Sequence, residues 1–432
     1  MRRRWIAGGA AVVAAAVLAG AVAAANVSRS STVTLTLWHN YGTEGNAIAT
    51  QNLVAAFEKQ NPSITIKVVS QPAANYFALL QTSGISHTGP DLAVMWTGLF
   101  DLKYQKLLTN LQPYLSAADI AKIDGAKWVA PNFDLSKGLL VLPLENQFYI
   151  GYYDKALFKK AGLSGPPRNW TQLYAACTKL KAAGVSAPIV YGADPQAIQS
   201  SPYPWYDMSY LMGAILSPDG LKGLYTGKTS WTSPAVVSQV SKWAALPKKG
   251  CTNSDVLTKT NILGAFMKGQ AGMIIDGNWD AATLQKAMGH NVAAFVPPFS
   301  DKPQQAVVQY SGDGFSLLKD SKHQKEGAAF LKFLLTPSAS KIIAAAGLIP
   351  DIKGSRSSSW LTNSMLDFAA KQHMTPYPML DNVTQGEVVT TGSKTLDDAL
   401  GGNISALSAL KSMKATLDSL PASRKGSVYS GG

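Results

Sequence analysis

Over its first hundred residues the chain switches between a hydrophobic period of two and one of three to four. The alternating, β-branched stretch Val33-Thr34-Leu35-Thr36-Leu37-Trp38 predicts a strand. After a polar turn, a helical period runs from Ala47 to Lys59 and ends before Asn61-Pro62, where proline stops a helix. Ile64 to Ser70 predicts a second strand, Tyr76 to Thr82 a helix, and the apolar run Leu92-Ala93-Val94-Met95-Trp96 a third strand. This βαβαβ order predicts a parallel, doubly wound sheet. Ligands of such sheets collect beyond the carboxyl ends of the strands, which puts Trp38 to Glu44 and Trp96-Thr97 on one rim. A second α/β region runs from Ile150 through Val296, with helices expected from Trp170 to Ala183, Pro234 to Leu246 and Thr260 to Lys268. Farther on, Phe315 to Leu318 predicts a strand, Glu326 to Leu335 a helix, and Leu396 to Leu420 one amphipathic helical tail. No repeat or low-complexity linker separates the regions, so each is expected to borrow strands from the other across a shared interface.

The N-terminus follows a different pattern. Arg2-Arg3-Arg4 precede an uncharged stretch from Trp5 to Ala25 that ends in Ala23-Ala24-Ala25, the order of an export signal. Residues 1–25 are therefore expected to take the chain out of the cytoplasm, to an extracellular, cell-surface or periplasmic place. The segment is either cleaved or, being longer than the usual apolar core of about 7 to 15 residues, kept as a single anchor. A plain basic start is the preferred signal and a twin-arginine signal the alternative. No cysteine stands near the cleavage region to carry a lipid. After Ala25 no comparable apolar run recurs, so the body is not expected to be an integral membrane protein.

Composition narrows the partners. A chain of 432 residues is long enough for two or three domains. Only 15% of residues are charged, against about a quarter in an average domain, so the polar surface leans on Ser, Thr, Asn and Gln and suits neutral polar ligands. The net charge of +13 is spread out, with no run of five basic residues, so no nucleic-acid partner is expected. An anionic envelope surface or ligand stays open. Cys177 and Cys251 form an isolated pair that an oxidising compartment would join as one disulfide, two buried thiols being the alternative. His39, His87, His290, His323 and His373 are dispersed without a metal-ligand spacing, and neither a metal nor a cofactor is expected. The stretch Gly223-Leu224-Tyr225-Thr226-Gly227-Lys228-Thr229 has three residues between its glycines where a phosphate loop has four. No GxSxG, HExxH or GxGxxG motif occurs.

One long segment is specific. Gly151-Tyr152-Tyr153-Asp154-Lys155-Ala156-Leu157-Phe158-Lys159-Lys160-Ala161-Gly162-Leu163, followed by Pro166-Pro167-Arg168-Asn169-Trp170-Thr171-Gln172-Leu173, resembles a signature stretch of the family 1 extracellular solute-binding proteins of ABC importers, the group of the maltose- and glycerol-3-phosphate-binding proteins. It departs from that pattern at Asp154 and Asn169, both at cap or turn positions. Leu37-Trp38-His39-Asn40, the run from Phe266 to Met273 ahead of Asp276-Gly277-Asn278-Trp279, and the run from Ser321 to Leu331 agree in order and spacing, so the resemblance spans nearly all of residues 32 to 420. It implies an α/β, two-lobed periplasmic-binding-protein-like fold of type II, each lobe a doubly wound mixed sheet. Lobe 1 would take residues 32–145 plus 312–347 and lobe 2 residues 146–311 plus 348–432. Three hinge crossovers would lie near 143–149, 308–314 and 346–352, closing on a ligand. It also implies a monomer that is not an enzyme and that hands its solute to membrane permease subunits.

A sugar offers apolar C–H faces and a ring of hydroxyls, so its site needs flat aromatics and convergent polar groups. Trp38, Trp96, Trp205, Tyr206 and Trp279 are candidates for the faces, and Asn40, Glu44, Gln147, Asp276, Asn278 and Asp313 for the edges. The resemblance places Trp279 and Tyr203-Pro204-Trp205-Tyr206 on the second lobe's face, with Trp38, His39, Trp96 and Thr97 at the first lobe's rim. Gln147 interrupts an apolar run at the first crossover, where a buried amide needs a ligand hydroxyl or the backbone as its partner. A mono- or oligosaccharide is the preferred ligand. Glycerol 3-phosphate or another phosphorylated solute is the alternative, disfavoured because only Arg168, Arg356 and Arg424 follow Arg29. A secreted glycoside hydrolase using Glu44, Asp276 or Asp313 is the alternative of another class.

Overall fold

The computed structural model describes residues 32–42, 44–72, 75–98, 101–126, 135–192 and 203–424. The expected export segment 1–25 lies outside them, and of Tyr203 only the helical backbone is described. Two sheets organise the chain. The first has five strands in the order β2-β1-β3-β10-β4: β1 (Val33–His39), β2 (Ile64–Ser70), β3 (Leu92–Met95), β4 (Leu142–Pro143) and β10 (Gly314–Leu317). β1 runs parallel to β2 and β3, with α1 (Gly45–Gln60) and α2 (Tyr76–Ile85) as crossovers, while β10 lies antiparallel to β3 and β4. The strand period decides what faces inward: Leu35, Leu37 and His39 are buried in β1, and Thr34, Thr36 and Trp38 alternate outward. α1 answers with Ala49, Leu53, Val54 and Phe57 on one face, and Phe57 meets Phe330 edge-on at 5.3 Å.

The second sheet has seven strands centred on β5 (Glu145–Asp154). β7 (Ala271–Gly277), β8 (Val292–Phe295), β9 (Ala306–Ser311) and β11 (Ile349–Pro350) all pair antiparallel to β5. β6 (Ala187–Ile189) runs parallel to β7, and β12 (Thr375–Tyr377) parallel to β9. A strand hemmed in so closely leaves no room for a side chain at Gly151, where a Cβ would come within 2.3 Å of the Phe295 ring. The two departures in the signature stretch are both helix caps. Asp154 accepts from the Ala156 and Leu157 amides, and Asn169 from the Gln172 amide, as carboxylate and amide oxygens do at an N-cap.

Cys177 on α3 (Trp170–Ala182) is bonded to Cys251. Downstream, the 260–268 helix starts at Ile262, because Asn261 turns left-handed at φ 53° and caps it through the Gly264 amide. The Gly223–Thr229 stretch is a helix end and not a phosphate loop, Gly227 turning left-handed after Thr226. α4 (Tyr203–Gly213) packs on β7 and β9 of the second sheet, and α5 (Pro234–Ala244) packs on α4. The expected single tail helix is instead two, α6 (Gly386–Leu400) and α7 (Ala406–Ser419), packed on each other. Gly401-Gly402 break the period, Gly402 with φ 81°, and Ser405 restarts it by accepting from the Ser408 amide.

Candidate functional site

The chain passes between the two sheets three times: at Leu144 from β4 to β5, at Gly312-Asp313 from β9 to β10, and at residues 346–348 from the helix Pro337–Ala345 to β11. The first two passages are zipped together, the Leu144 amide donating to the Asp313 carbonyl at 2.8 Å and the Gly312 amide to the Glu145 carbonyl at 2.9 Å. Each passage has an acid at or just beyond it, namely Glu145, Asp313 and Asp351. Two backbone-thin hinge strands side by side and a third nearby give a base about which two packed bodies can rotate.

The acids at this base act on one another. Glu145 is fully buried; its Oε1 accepts from the amides of Asn46 on α1 and of Gln147, the latter at 2.9 Å. Burial pushes its carboxyl up to about 7, the two amides hold it down, and the neighbouring Glu44 adds to the rise. Part of Asp313 is accessible, yet it stands deep enough that burial, then Glu145, Asp381 and Glu44, raise it well above the carboxylate range. Burial lifts Asp381 up to about 7, against its own and the Asn382 backbone amides, which hold it down. Burial, then Asp381, Tyr206, Asp313 and Glu145, raise Tyr310, near the end of β9, well above its ordinary value. On the second-sheet side a chain of rings leads outward: Tyr149 meets Tyr206 at 5.5 Å and Tyr206 meets Trp279 at 6.4 Å, both edge-on. The Asn278–Asp280 turn that bears Trp279 abuts the start of α1, where Glu44 stands. Aromatics from one sheet and carboxylates from the crossings thus converge.

The structure separates the residues expected from sequence into two groups. Trp38, Asn40, Glu44, Trp96, Tyr206, Trp279 and Asp313 keep accessible surface. Tyr206 and Trp279 adjoin each other, Glu44 and Asp313 interact, and Trp96 packs edge-on against Phe77 at 5.1 Å on the first-sheet side. The second group is buried and serves the protein itself, which corrects its expected place on the cleft surface. His39 continues the inward set of β1, its Nδ1 accepting from the Tyr41 amide at 3.2 Å, and burial lowers its pKa. Thr97 donates its hydroxyl to the Ser311 carbonyl and its backbone carbonyl accepts from Asn382, tying the end of β3 to the second sheet. Gln147 finds its partner in Glu145 and lies over Gly312, where a Cβ would sit 2.2 Å from its amide carbon. Asn278 accepts from the Phe148 amide at 2.9 Å and so ends the β5 ladder, and Asp276 is enclosed in β7, accepting from the Gly277 amide. Trp205 lies on the inner face of α4 with Met208 and Ser209, against Gly392 of α6, where its own helical period puts it.

Glu145, Asp381, Tyr149 and Tyr310 join the site without having been expected. For Glu145 a signal existed: Glu145-Asn146-Gln147 is a polar triplet inside an apolar run, and all three are buried. Asp381 follows an irregular segment with no periodicity to mark it. Among the described residues no group of His, Cys, Asp and Glu converges as a metal would require.

The sequence profile of the bacterial extracellular solute-binding proteins matches residues 41–341. The chain belongs to that family. A relative from Brucella abortus, described as a binding protein, is 25% identical over 372 residues, covering 84% of this chain and 88% of that one. The sn-glycerol-3-phosphate-binding periplasmic protein of Shigella dysenteriae is 24% identical over 407 residues, covering 85% and 90%. Among solved structures, a chitin oligosaccharide binding protein superposes with a TM-score of 0.78 at 21% identity, covering 90% of this chain and 98% of that one. Maltose-bound MalE3 of T. maritima superposes at 0.71 and 17%, covering 90% and 99%. These likenesses fix the fold as that of the two-lobed type II binding proteins, with the three crossings as its hinges.

Proposed function

We propose that this chain captures a mono- or oligosaccharide between its two lobes and presents it, closed, to the permease subunits of an ABC importer outside the cytoplasm. The lobes would be residues 32–145 plus 312–347 and residues 146–311 plus 348–432. The observation that carries the reading is the meeting of the Tyr149–Tyr206–Trp279 ring chain with Glu44 and Asp313 at the hinge base. Rings cover the C–H faces of a pyranose, and carboxylates accept from its hydroxyls. Closure is favoured because a ligand touching both lobes binds the closed state better than the open one. Carbohydrate binding by several similar structures, including the chitin oligosaccharide and maltose receptors, supports the same class.

A phosphorylated solute fits less well, although one relative is a glycerol-3-phosphate-binding protein. The start of α1, a natural seat for a phosphate, carries Glu44 at its cap, and no lysine or arginine among the described residues acts on Glu145, Asp313 or Asp381. The carboxyls that a hydrolase would use are here hydroxyl acceptors, and no turnover is expected. The test is a thermal-shift panel of neutral sugars, oligosaccharides and glycerol phosphates. A ligand at 100 times its Kd stabilises by about 2.7 kcal/mol. A saccharide hit without released product is expected; a response confined to phosphorylated solutes would replace the reading. Trp279→Ala should weaken the hit at least about tenfold, as loss of a stacking ring does, while thermal unfolding without ligand stays cooperative.

A further inference from the structure

We propose that the second lobe carries another ligand site, remote from the hinge, that takes a small carboxylate with an apolar body, a ring-bearing or short-chain acid. This site is independent of the carbohydrate reading. It is a cavity of about 400 Å3, the size of a small-ligand pocket. Phe295 in its wall pairs with Gly151 of β5, and at the rise of a strand the run from Glu145 to Gly151 puts the cavity about 20 Å from the hinge base. Pro166, Pro167, Phe295, Val296, Phe368 and Met374 supply apolar walls, and Arg168, Gln304 and Gln372 the polar groups. Pro166-Pro167-Arg168 is a part of the signature stretch that the cleft does not use. The helix Trp360–Lys371 buries Leu361, Met365 and Ala369 on one stripe; Phe368 stands off that stripe, 39% exposed, at the cavity. The chain then reverses at His373, left-handed at φ 48° where glycine is usual, and so sets Met374 in the wall.

Charge selects the ligand. Arg168 is the one charged side chain of the lining, and no acid lines the cavity among the described residues. It stands directly before the N-cap of α3, where the helix dipole disfavours a cation, so helix stability does not account for it. Its backbone amide donates to Gln172 Oε1 at 2.9 Å, while its guanidinium has no partner among the described residues. The acids nearest in sequence to the lining are taken, Asp301 by Lys242 at 2.7 Å and Asp367 by Arg356 at 2.9 Å. Residues 146–311 hold 15 Lys and Arg against 8 Asp and Glu, which adds a positive field around the mouth. The complement of a single planar guanidinium is a carboxylate, gripped by two parallel hydrogen bonds. Gln304 is held by its Nε2 on the Tyr210 carbonyl at 2.8 Å and offers its remaining amide groups beside it. The walls select the rest of the molecule: a hydroxylated ring would lose its hydration against them without enough partners, whereas an apolar body is favoured there.

The experiment is calorimetric titration of the full chain at pH 7.5 with phenylacetate and hexanoate, each paired with its uncharged amide. At least one acid should saturate a single site with a Kd of about 1 mM or tighter, and its amide should bind at least about tenfold more weakly. Arg168→Gln should cancel that advantage and Phe368→Ala should weaken the acid severalfold, both in protein with native circular dichroism. Trp279→Ala, in the cleft, should leave the acid's binding unchanged. A preference for phenylacetate or for hexanoate tells ring acids from chain acids, and either supports the site. Absence of saturable binding by both acids, or an amide that binds as well as its acid, overturns the inference. So does binding that survives Arg168→Gln and Phe368→Ala combined, or that disappears in Trp279→Ala, which would place the acid in the cleft. A failed sugar panel ends the carbohydrate reading and leaves this site standing.

Discussion

Two groups of buried acids lie within the same chain and are provisioned in opposite ways. Asp207, on α4, is fully buried and receives three donors: the Tyr149 hydroxyl at 3.0 Å, the Tyr191 hydroxyl at 2.6 Å and the Trp243 indole at 2.9 Å. The hinge acids Glu145 and Asp381 are buried almost as deeply, each with one oxygen that has no donor among the described residues, and the partly accessible Asp313 beside them feels Glu145, Asp381 and Glu44. Both Asp207 and Glu145 are pushed up to about 7, chiefly by burial. The shift alone therefore does not separate structure from function. What separates them is the donor count: both oxygens of Asp207 are met by the protein, as in a carboxyl that joins elements together, whereas Glu145 and Asp381 each keep one oxygen with no donor among the described residues.

The comparison is broken most directly at its structural end. Asp207→Ala would strand two buried hydroxyls and an indole N–H, each costing about 1 to 3 kcal/mol, so urea unfolding should show a loss of roughly 3 to 5 kcal/mol. A loss under about 1 kcal/mol would mean that the three donors find other partners. Reduction of the disulfide should act on the same region. Cys251 leads into Asn253, which exchanges hydrogen bonds with the Tyr191 backbone in both directions, and Tyr191 in turn donates to Asp207. Opening a bridge across 74 residues should cost at most about 4 kcal/mol in the chain-entropy picture, seen as a lower Tm under reductant. If Asp207→Ala and reduction are coupled, their combined loss will differ from the sum, which a double cycle measures.

The sequence carried most of the fold, since strands and helices with strong periods announce themselves: β1, β2, β3 and α1 fall where their patterns put them. It erred where a period was read past a break, as at Gly401-Gly402. The site was legible only in part, for a reason visible in His39 and Trp38. Adjacent in sequence at the end of one strand, they differ by which side of the pleat each takes; alternation from Leu35 and Leu37 already places His39 inward, and proximity to the rim does not override it. Trp205 and Tyr206 repeat this on a helix. Asp381 could not be found that way, because it reaches the hinge by tertiary folding of an irregular segment, to which no local pattern corresponds.

The smallest effect is the sharpest test of the hinge end. Glu145 has a native pKa of about 7, above its ordinary 4.5, so the folded chain holds a proton there that the unfolded chain has released between those values. Stability therefore falls as pH rises from about 4.5 to about 7, and the penalty is complete above the native value. Glu145→Gln removes it: its amide oxygen can go on accepting from Asn46 and Gln147, while its NH2 replaces the unmet Oε2. The variant should thus gain about 1 kcal/mol over the parent at pH 8 and about nothing at pH 4.5, read from urea midpoints at constant m. A gain equal at both pH values would mean that the amide acts through packing instead of charge. A loss at pH 8 would mean that the carboxylate is needed ionised in the unliganded hinge, and the distinction between the two acid groups would then fail.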